Sequence, residues 1–255
     1  MKVGFIGAGN MGSALMASMK DYVELYVFDI SPNACKNANQ QYGAVVTNSV
    51  YDLVKSSDII FVAIKPQFLE EIYKELTAAW ANEKILASIV AGKSLAHWQE
   101  ILGEKSQIAR IMPNTPAMVQ EGMNTVCFSA TLKDKDQIIK LLSYTGRVMQ
   151  LRENVMDAAM GVAGCGPAFV YMFIEALADA GVAGGLFRQQ AYELAAQTVL
   201  GAAKMVLMTE QHPAALKDAV CSPAGTTIRG VLALEKNGFR NAVEEAVLAT
   251  QRKLQ

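Results

Sequence analysis

Apolar residues in the first 150 or so positions come in short runs separated by helical patterns. Residues 2–6 form a brief apolar run that ends at Gly7, the pattern of a buried strand. A 3.6-residue periodicity follows over 11–19. Strand-like runs recur at 25–28, 44–46, 59–64, 84–89 and 108–112, and later at 125–129 and 147–151. Between them, 35–42, 49–55, 68–80, 95–102 and 138–143 carry helical spacing, with Ser31-Pro32 as a helix start. Strands alternating with helices predict βαβ units with right-handed crossovers, hence a doubly wound parallel sheet. The pattern changes after Glu153, where helices are predicted over 155–162, 167–181, 188–208, 213–222 and 226–253, the last broken near Gly238. The 167–181 segment is apolar on every face, which predicts burial on all sides. The chain therefore divides into an α/β domain, residues 1–152, and an all-α domain, residues 153–255.

Composition adds an interface to this picture. Hydrophobic residues make up 52% of the chain and charged residues only 18%, more apolar surface than a monomer of this size readily covers. A homodimer formed through the C-terminal helices is expected. The run 158–174 is apolar, but it holds Gly161, Gly164, Gly166 and Pro167, and Glu175 and Asp179 follow on the same helix. It therefore reads as an interface helix rather than a membrane span. A net charge of −1 favours neither nucleic acid nor an anionic membrane. Cys35, Cys127, Cys165 and Cys221 form no pair with metal-ligand spacing, so no metal site is expected and the thiols read as free. Free thiols and an N-terminus without a signal-peptide pattern predict a cytoplasmic protein.

Gly7-Ala8-Gly9-Asn10-Met11-Gly12 fits G-x-G-x-x-G, leaves the first strand and opens the first helix. In that context the first glycine permits the tight turn, the second lets a pyrophosphate approach the backbone, and the third allows close helix–strand packing. The helix N-terminus offers unpaired N–H groups to the phosphates. The first domain is thus of the Rossmann type, and the cofactor expected is NAD(P)H. Asp29 ends the second strand, about twenty residues on, where a carboxylate can accept from a ribose 2′-hydroxyl and repel a 2′-phosphate. Between Asp29 and Tyr42 the only base is Lys36. This favours NADH and leaves NADPH open, and Asp29 could equally cap the turn into Ser31-Pro32.

Four further stretches complete the set: Val62-Ala63-Ile64-Lys65-Pro66, Ser88-Ile89-Val90-Ala91-Gly92, Met112-Pro113-Asn114-Thr115-Pro116 and Val220-Cys221-Ser222-Pro223-Ala224-Gly225-Thr226-Thr227. With the glycine turn, they make the whole chain resemble the pyrroline-5-carboxylate reductase family. The resemblance implies reduction of Δ1-pyrroline-5-carboxylate, a cyclic imino carboxylate, to L-proline by hydride transfer from NAD(P)H. It implies that Lys65, Pro66, Asn114, Thr115 and Pro116 line the cofactor crevice, with Asn114 also near the substrate. It further implies that Ser222, Gly225, Thr226 and Thr227 surround the substrate carboxylate, and that the Thr227 hydroxyl faces the ring nitrogen as the catalytic group. Glu210 is expected to support that loop. The helical domain would be the dimerisation domain, and in many members five dimers form a ring.

The chain departs from the family at two positions of the last loop. Ala224 stands where glycine is frequent, and Cys221 where serine or threonine is. Three rival readings share part of this pattern. A β-hydroxyacid dehydrogenase needs a lysine early in its long helix, and none occurs between Lys140 and Lys204. A reductase of a related cyclic imine shares all the chemistry. A non-catalytic dinucleotide-binding regulator would have no use for a carboxylate site.

Overall fold

The computed structural model describes residues 1–251. They form two compact units, Met1–Gly164 and the residues from Cys165 on, each taken below by itself.

The first unit is a sheet of eight strands: β1 (Lys2–Ile6), β2 (Glu24–Phe28), β3 (Val45–Val46), β4 (Ile59–Val62), β5 (Ile85–Ser88), β6 (Gln107–Met112), β7 (Gly122–Phe128) and β8 (Gly146–Gln150). Their spatial order is β3-β2-β1-β4-β5-β6-β7-β8. The helices α1 (Asn10–Met19), α2 (Pro32–Tyr42), α3 (Val50–Ser56), α4 (Leu69–Ala79), α5 (Leu95–Leu102), α6 (Lys135–Ser143) and the short α7 (Met156–Ala159) complete it. Two buried clusters lie on opposite faces. One, with Phe5, Leu15, Phe61 and Ile111, packs α1 and α6; the other, with Ile6, Leu53, Ile60, Leu76 and Trp98, packs α3 to α5. The alternation Phe5/Ile6 and Ile60/Phe61 between the two clusters is the period-2 pleat of a strand buried on both faces.

The sheet is the expected doubly wound one, with one correction. β7 runs antiparallel to β6, while all the other pairings are parallel. The reason is the connection: Met112 and Gly122 are joined by a loop and the 3₁₀ turn Thr115–Val119, too short for a parallel crossover. At β7 and β8 the backbones meet closely. A Cβ on Gly146 would stand 2.1 Å from the Gly122 carbonyl oxygen, and Gly146 itself has φ 140°. Element ends differ from the sequence expectation by one to three residues in most cases. The largest internal surprise is Met160–Gly164, which winds as a π-helical turn between α7 and the next helix, a rare geometry that often accompanies functional sites.

The second unit is all helical: α8 (Gly166–Ala183), α9 (Arg188–Thr209), α10 (Pro213–Ala219), α11 (Thr226–Lys236) and α12 (Phe239–Gln251). Gly238, at φ 73°, makes the break between the last two. The predicted extension of that run to residue 253 lies outside the described residues. The expectation that 167–181 is buried on all sides is not met within one chain. Of α8 only Ala178 is fully buried, against α9, and Tyr171 and Met172 are 58% and 69% exposed. Two helices alone cannot wrap a helix that is apolar all round. The stretch Glu153–Ala183 is long and apolar enough to cross a membrane by length and composition.

Candidate active site

The carboxyl ends of β1, β2 and β4 are level, since Ile6 pairs with both Phe28 and Val62. β1 lies at the point where the strand order reverses, so the loops leaving these three strands diverge around a crevice. The glycine turn sits there. Gly7 has φ 103° and donates its N–H to Phe28 O at 2.8 Å. A Cβ on Gly12 would lie 2.4 Å from the Gly7 carbonyl oxygen, so only glycine lets α1 start this close to β1. Gly9 differs: a Cβ there meets nothing within 4 Å. Gly9 is the N-cap of α1, and no side chain caps the helix. The first-turn N–H groups and the open space over Gly9 thus form a cradle that fits a dinucleotide pyrophosphate.

Of the two roles open to Asp29, the structure shows the cap, and it adds a bond to the glycine turn. Its Oδ1 accepts from Ser31 N at 2.8 Å, capping the turn into α2, and its Oδ2 accepts from Ala8 N at 2.7 Å. The carboxylate is therefore pinned against the glycine turn. Asp29, Gly7, Gly9 and Lys65 line one cleft of about 220 Å³, with Ile30 and Phe68 on its apolar side. Ala8 is buried, Asn10 exposed and Met11 between the two. Lys65 is exposed, and Pro66 opens the 3₁₀ turn that leads into α4.

The loop after β6 carries the next set. Asn114 is 8% exposed. Its Nδ2 donates to Ala163 O at 3.0 Å and its Oδ1 accepts from Met123 N at 2.8 Å. Thr115 and Pro116 start the 3₁₀ turn, which packs against α1. The structure thus gathers the glycine turn, Asp29, Lys65-Pro66 and Asn114–Pro116 on one side of the first unit.

The loop 220–227 belongs to the second unit. Gly225 N donates to Ser222 O at 3.0 Å, closing a turn over Pro223 and Ala224, and Gly225 then caps α11 without a side-chain partner. Ser222, Thr226 and Thr227 are exposed. A Cβ on Gly225 would fall 2.3 Å from Ser222 Oγ, so the hydroxyl fills the room the glycine leaves at the helix start. Ala224 holds φ 58°, a conformation glycine adopts more cheaply. Glu210, at φ 55°, ends α9.

The histidines are structural. His97 is in hydrogen-bond contact with Tyr73 Oη at 2.9 Å, and burial, then Lys93, lowers its pKa. His212 Nδ1 accepts from Ala214 N at 3.1 Å, capping α10. All four cysteines are free, and burial pushes the Cys127 thiol up to about 11.

Sequence reasoning missed one cluster. Arg110, on β6, is 6% exposed and pairs with Glu153 at 3.3 Å and Asp157 at 2.8 Å. Glu153 also accepts from Leu95 N at 2.7 Å. The signal was available: an arginine inside the apolar run IARIM must find carboxylates if the strand is buried.

A doubly wound sheet with a glycine cradle and a pinned acidic residue after β2 defines a dinucleotide-dependent oxidoreductase. Comparison with known proteins narrows the class. Residues 153–255 match the family model for pyrroline-5-carboxylate reductase dimerisation, and residues 2–92 match that for NADP oxidoreductase, coenzyme F420-dependent. The chain is 42% identical to the pyrroline-5-carboxylate reductase of Escherichia coli over 96% of its own length and 94% of that protein's. It is 41% identical to that of Methanosarcina acetivorans, over 97% and 94%. The crystal structure of Plasmodium falciparum pyrroline carboxylate reductase with NADP bound superposes with a TM-score of 0.90 at 33% identity, covering 100% of this chain and 97% of that one. The chain belongs to the pyrroline-5-carboxylate reductase family. It is an NAD(P)H-dependent oxidoreductase with a C-terminal dimerisation domain.

Proposed function

We propose that this protein reduces Δ1-pyrroline-5-carboxylate to L-proline, with the dinucleotide over the glycine cradle and the substrate carboxylate at the Ser222–Thr227 loop. The observation that carries this reading is the loop itself. It offers the side-chain-free N-cap of α11 together with the Ser222 hydroxyl held beside it, a donor set suited to a carboxylate. The bound nicotinamide supplies the hydride to the imine carbon. The chain's own residues supply position. Gly7, Ala8, Gly9, Asn10, Met11 and Gly12 seat the pyrophosphate; Lys65, Pro66, Thr115 and Pro116 border the nicotinamide half. Asn114 holds the loop that carries them and adds a remaining donor hydrogen toward the substrate. Ser222, Gly225 and Thr226 orient the carboxylate. Thr227 directs its hydroxyl to the ring nitrogen and keeps the proton there as the carbon is reduced. A protonated imine is already electrophilic, so orientation accounts for most of the rate.

The dinucleotide proposed is NADH in preference to NADPH. Asp29 is pinned by two backbone N–H groups, so its carboxylate cannot swing away from a 2′-phosphate. We also assign residues 1–152 to the dinucleotide and 153–255 to substrate and dimerisation, in keeping with the start of the matched dimerisation model. The exposed apolar residues Tyr171, Met172 and Leu194 favour a homodimer through the C-terminal helices, and five such dimers in a ring are proposed from the resemblance, as is a cytoplasmic location.

Initial rates of NADH and NADPH oxidation with Δ1-pyrroline-5-carboxylate test the reading, with a six-membered imino acid and an uncharged five-membered imine as controls. Fast turnover only with the five-membered carboxylate is expected. Equal turnover of the uncharged imine would remove the carboxylate role of the loop. A higher kcat/KM with NADPH would remove the role given to Asp29.

A further inference from the structure

The loop that takes the carboxylate contains a conflict between residue and backbone. Ser222–Gly225 is a four-residue turn closed by the Gly225 N–H to Ser222 O bond. Pro223 stands at its second position, and Ala224, at its third, has φ 58°. That combination is a type II turn, whose third position favours glycine because a Cβ there crowds the backbone. A Pro-Ala pair would adopt the type I turn without that penalty, keeping the closing hydrogen bond and flipping the central peptide. The sequence of the turn alone therefore does not select the form observed.

An outside contact accompanies that form. Arg229 Nη2, one turn into α11, donates to Ala224 O at 3.2 Å. Among the described residues it is the only side-chain hydrogen bond to the turn. It grips the carbonyl of the residue that is held against its preference. The geometry has a consequence for the site, because Ser222 Oγ occupies the space beside Gly225 at the start of α11. A flipped turn would move that hydroxyl and the N-cap together.

We propose that Arg229 is a positioning residue for substrate binding: it holds the Ser222–Gly225 turn in its left-handed form, so that Ser222 and the first N–H groups of α11 face the carboxylate. This rests on the reading of the loop as the carboxylate site. Arg229 and Ala224 act as a pair, the arginine compensating for the missing glycine.

The test is steady-state kinetics on the full-length enzyme, comparing the parent with Arg229→Ala, Ala224→Gly and the double variant. Arg229→Ala is expected to raise KM for the imine about tenfold, the worth of one hydrogen bond from a charged donor. KM for the dinucleotide should stay within about twofold. Adding Ala224→Gly to Arg229→Ala should recover most of the loss, since glycine takes φ 58° unaided. An unchanged imine KM in Arg229→Ala, or a loss that Ala224→Gly does not recover, overturns the proposal. Ser222→Ala and Thr227→Val separate the two levels. If they raise the imine KM while Arg229→Ala does not, only the role of Arg229 falls. If they leave it unchanged, the loop reading falls and the proposal with it.

Discussion

Asn114 and Ala163 are joined side chain to backbone, Nδ2 to carbonyl, at 3.0 Å. The contact ties the loop after β6 to the π-helical turn Met160–Gly164, and the same side chain accepts from Met123 N at the start of β7. A residue with both ends of its amide engaged and 8% exposure fixes three segments at once.

Asn114→Ala should therefore cost stability as well as rate. Two part-buried hydrogen bonds are lost and Ala163 O and Met123 N lose a partner, a penalty of about 2 kcal/mol. Urea unfolding measures that loss. A fall in kcat/KM larger than the fall in folded fraction should accompany it, and a variant with unaltered unfolding midpoint would contradict the clamp.

The glycine turn offers a contrast within one motif. Gly9→Ala meets open space, so its unfolding midpoint should match the parent's, while the dinucleotide Kd rises at least about tenfold because the methyl group occupies the pyrophosphate's approach. Gly12→Ala meets the Gly7 carbonyl oxygen at 2.4 Å and should lose stability first. Thermal unfolding and fluorescence titration of the two variants side by side check this ordering.

Arg110→Met removes the buried cation between Glu153 and Asp157. The two carboxylates are 33% and 55% exposed and regain water on that side, so the expected loss is about 2 kcal/mol, below the cost of breaking a fully buried pair. Glu153→Gln should cost less, since the amide oxygen can still accept from Leu95 N. Denaturant midpoints rank the two.

His97 gives the protein a pH dependence of known sign. Burial, then the nearby Lys93, depresses its pKa in the folded state. The unfolded chain therefore binds the proton more readily, and stability falls as pH drops below about 6.5. The urea midpoint should decrease from pH 7.5 to pH 5.5, and His97→Gln should flatten that part of the curve. An identical slope in the variant would assign the effect to other groups.

Much of the first unit was legible in the chain. Residues 2–6 and 95–102 formed as expected, because their apolar pattern is a local signal that tertiary contacts reinforce; in the structure Ser94 Oγ accepts from His97 N and caps the second of them. Asp29 was legible as a carboxylate at the end of β2 and as a cap of the turn into Ser31-Pro32, whereas its bond from Ala8 N was not. The antiparallel β7 was not legible, since strand direction depends on where a short connection lets the chain return. For Arg110 the need for carboxylate partners was legible in the apolar run around it, but which carboxylates was not, because Glu153 and Asp157 lie more than forty positions away.

The sequence by itself determined the alternation of strands and helices, the glycine turn and the family motifs, all of which follow from spacing along the chain. Only the tertiary structure decided that Asp29 is pinned to Ala8, that Asn114 fastens three segments, and that Ala224 is held in the left-handed region beside Arg229. Those facts concern the direction of individual hydrogen bonds and backbone angles. Such choices are settled by the competition among neighbours in three dimensions, which periodicity and composition do not encode.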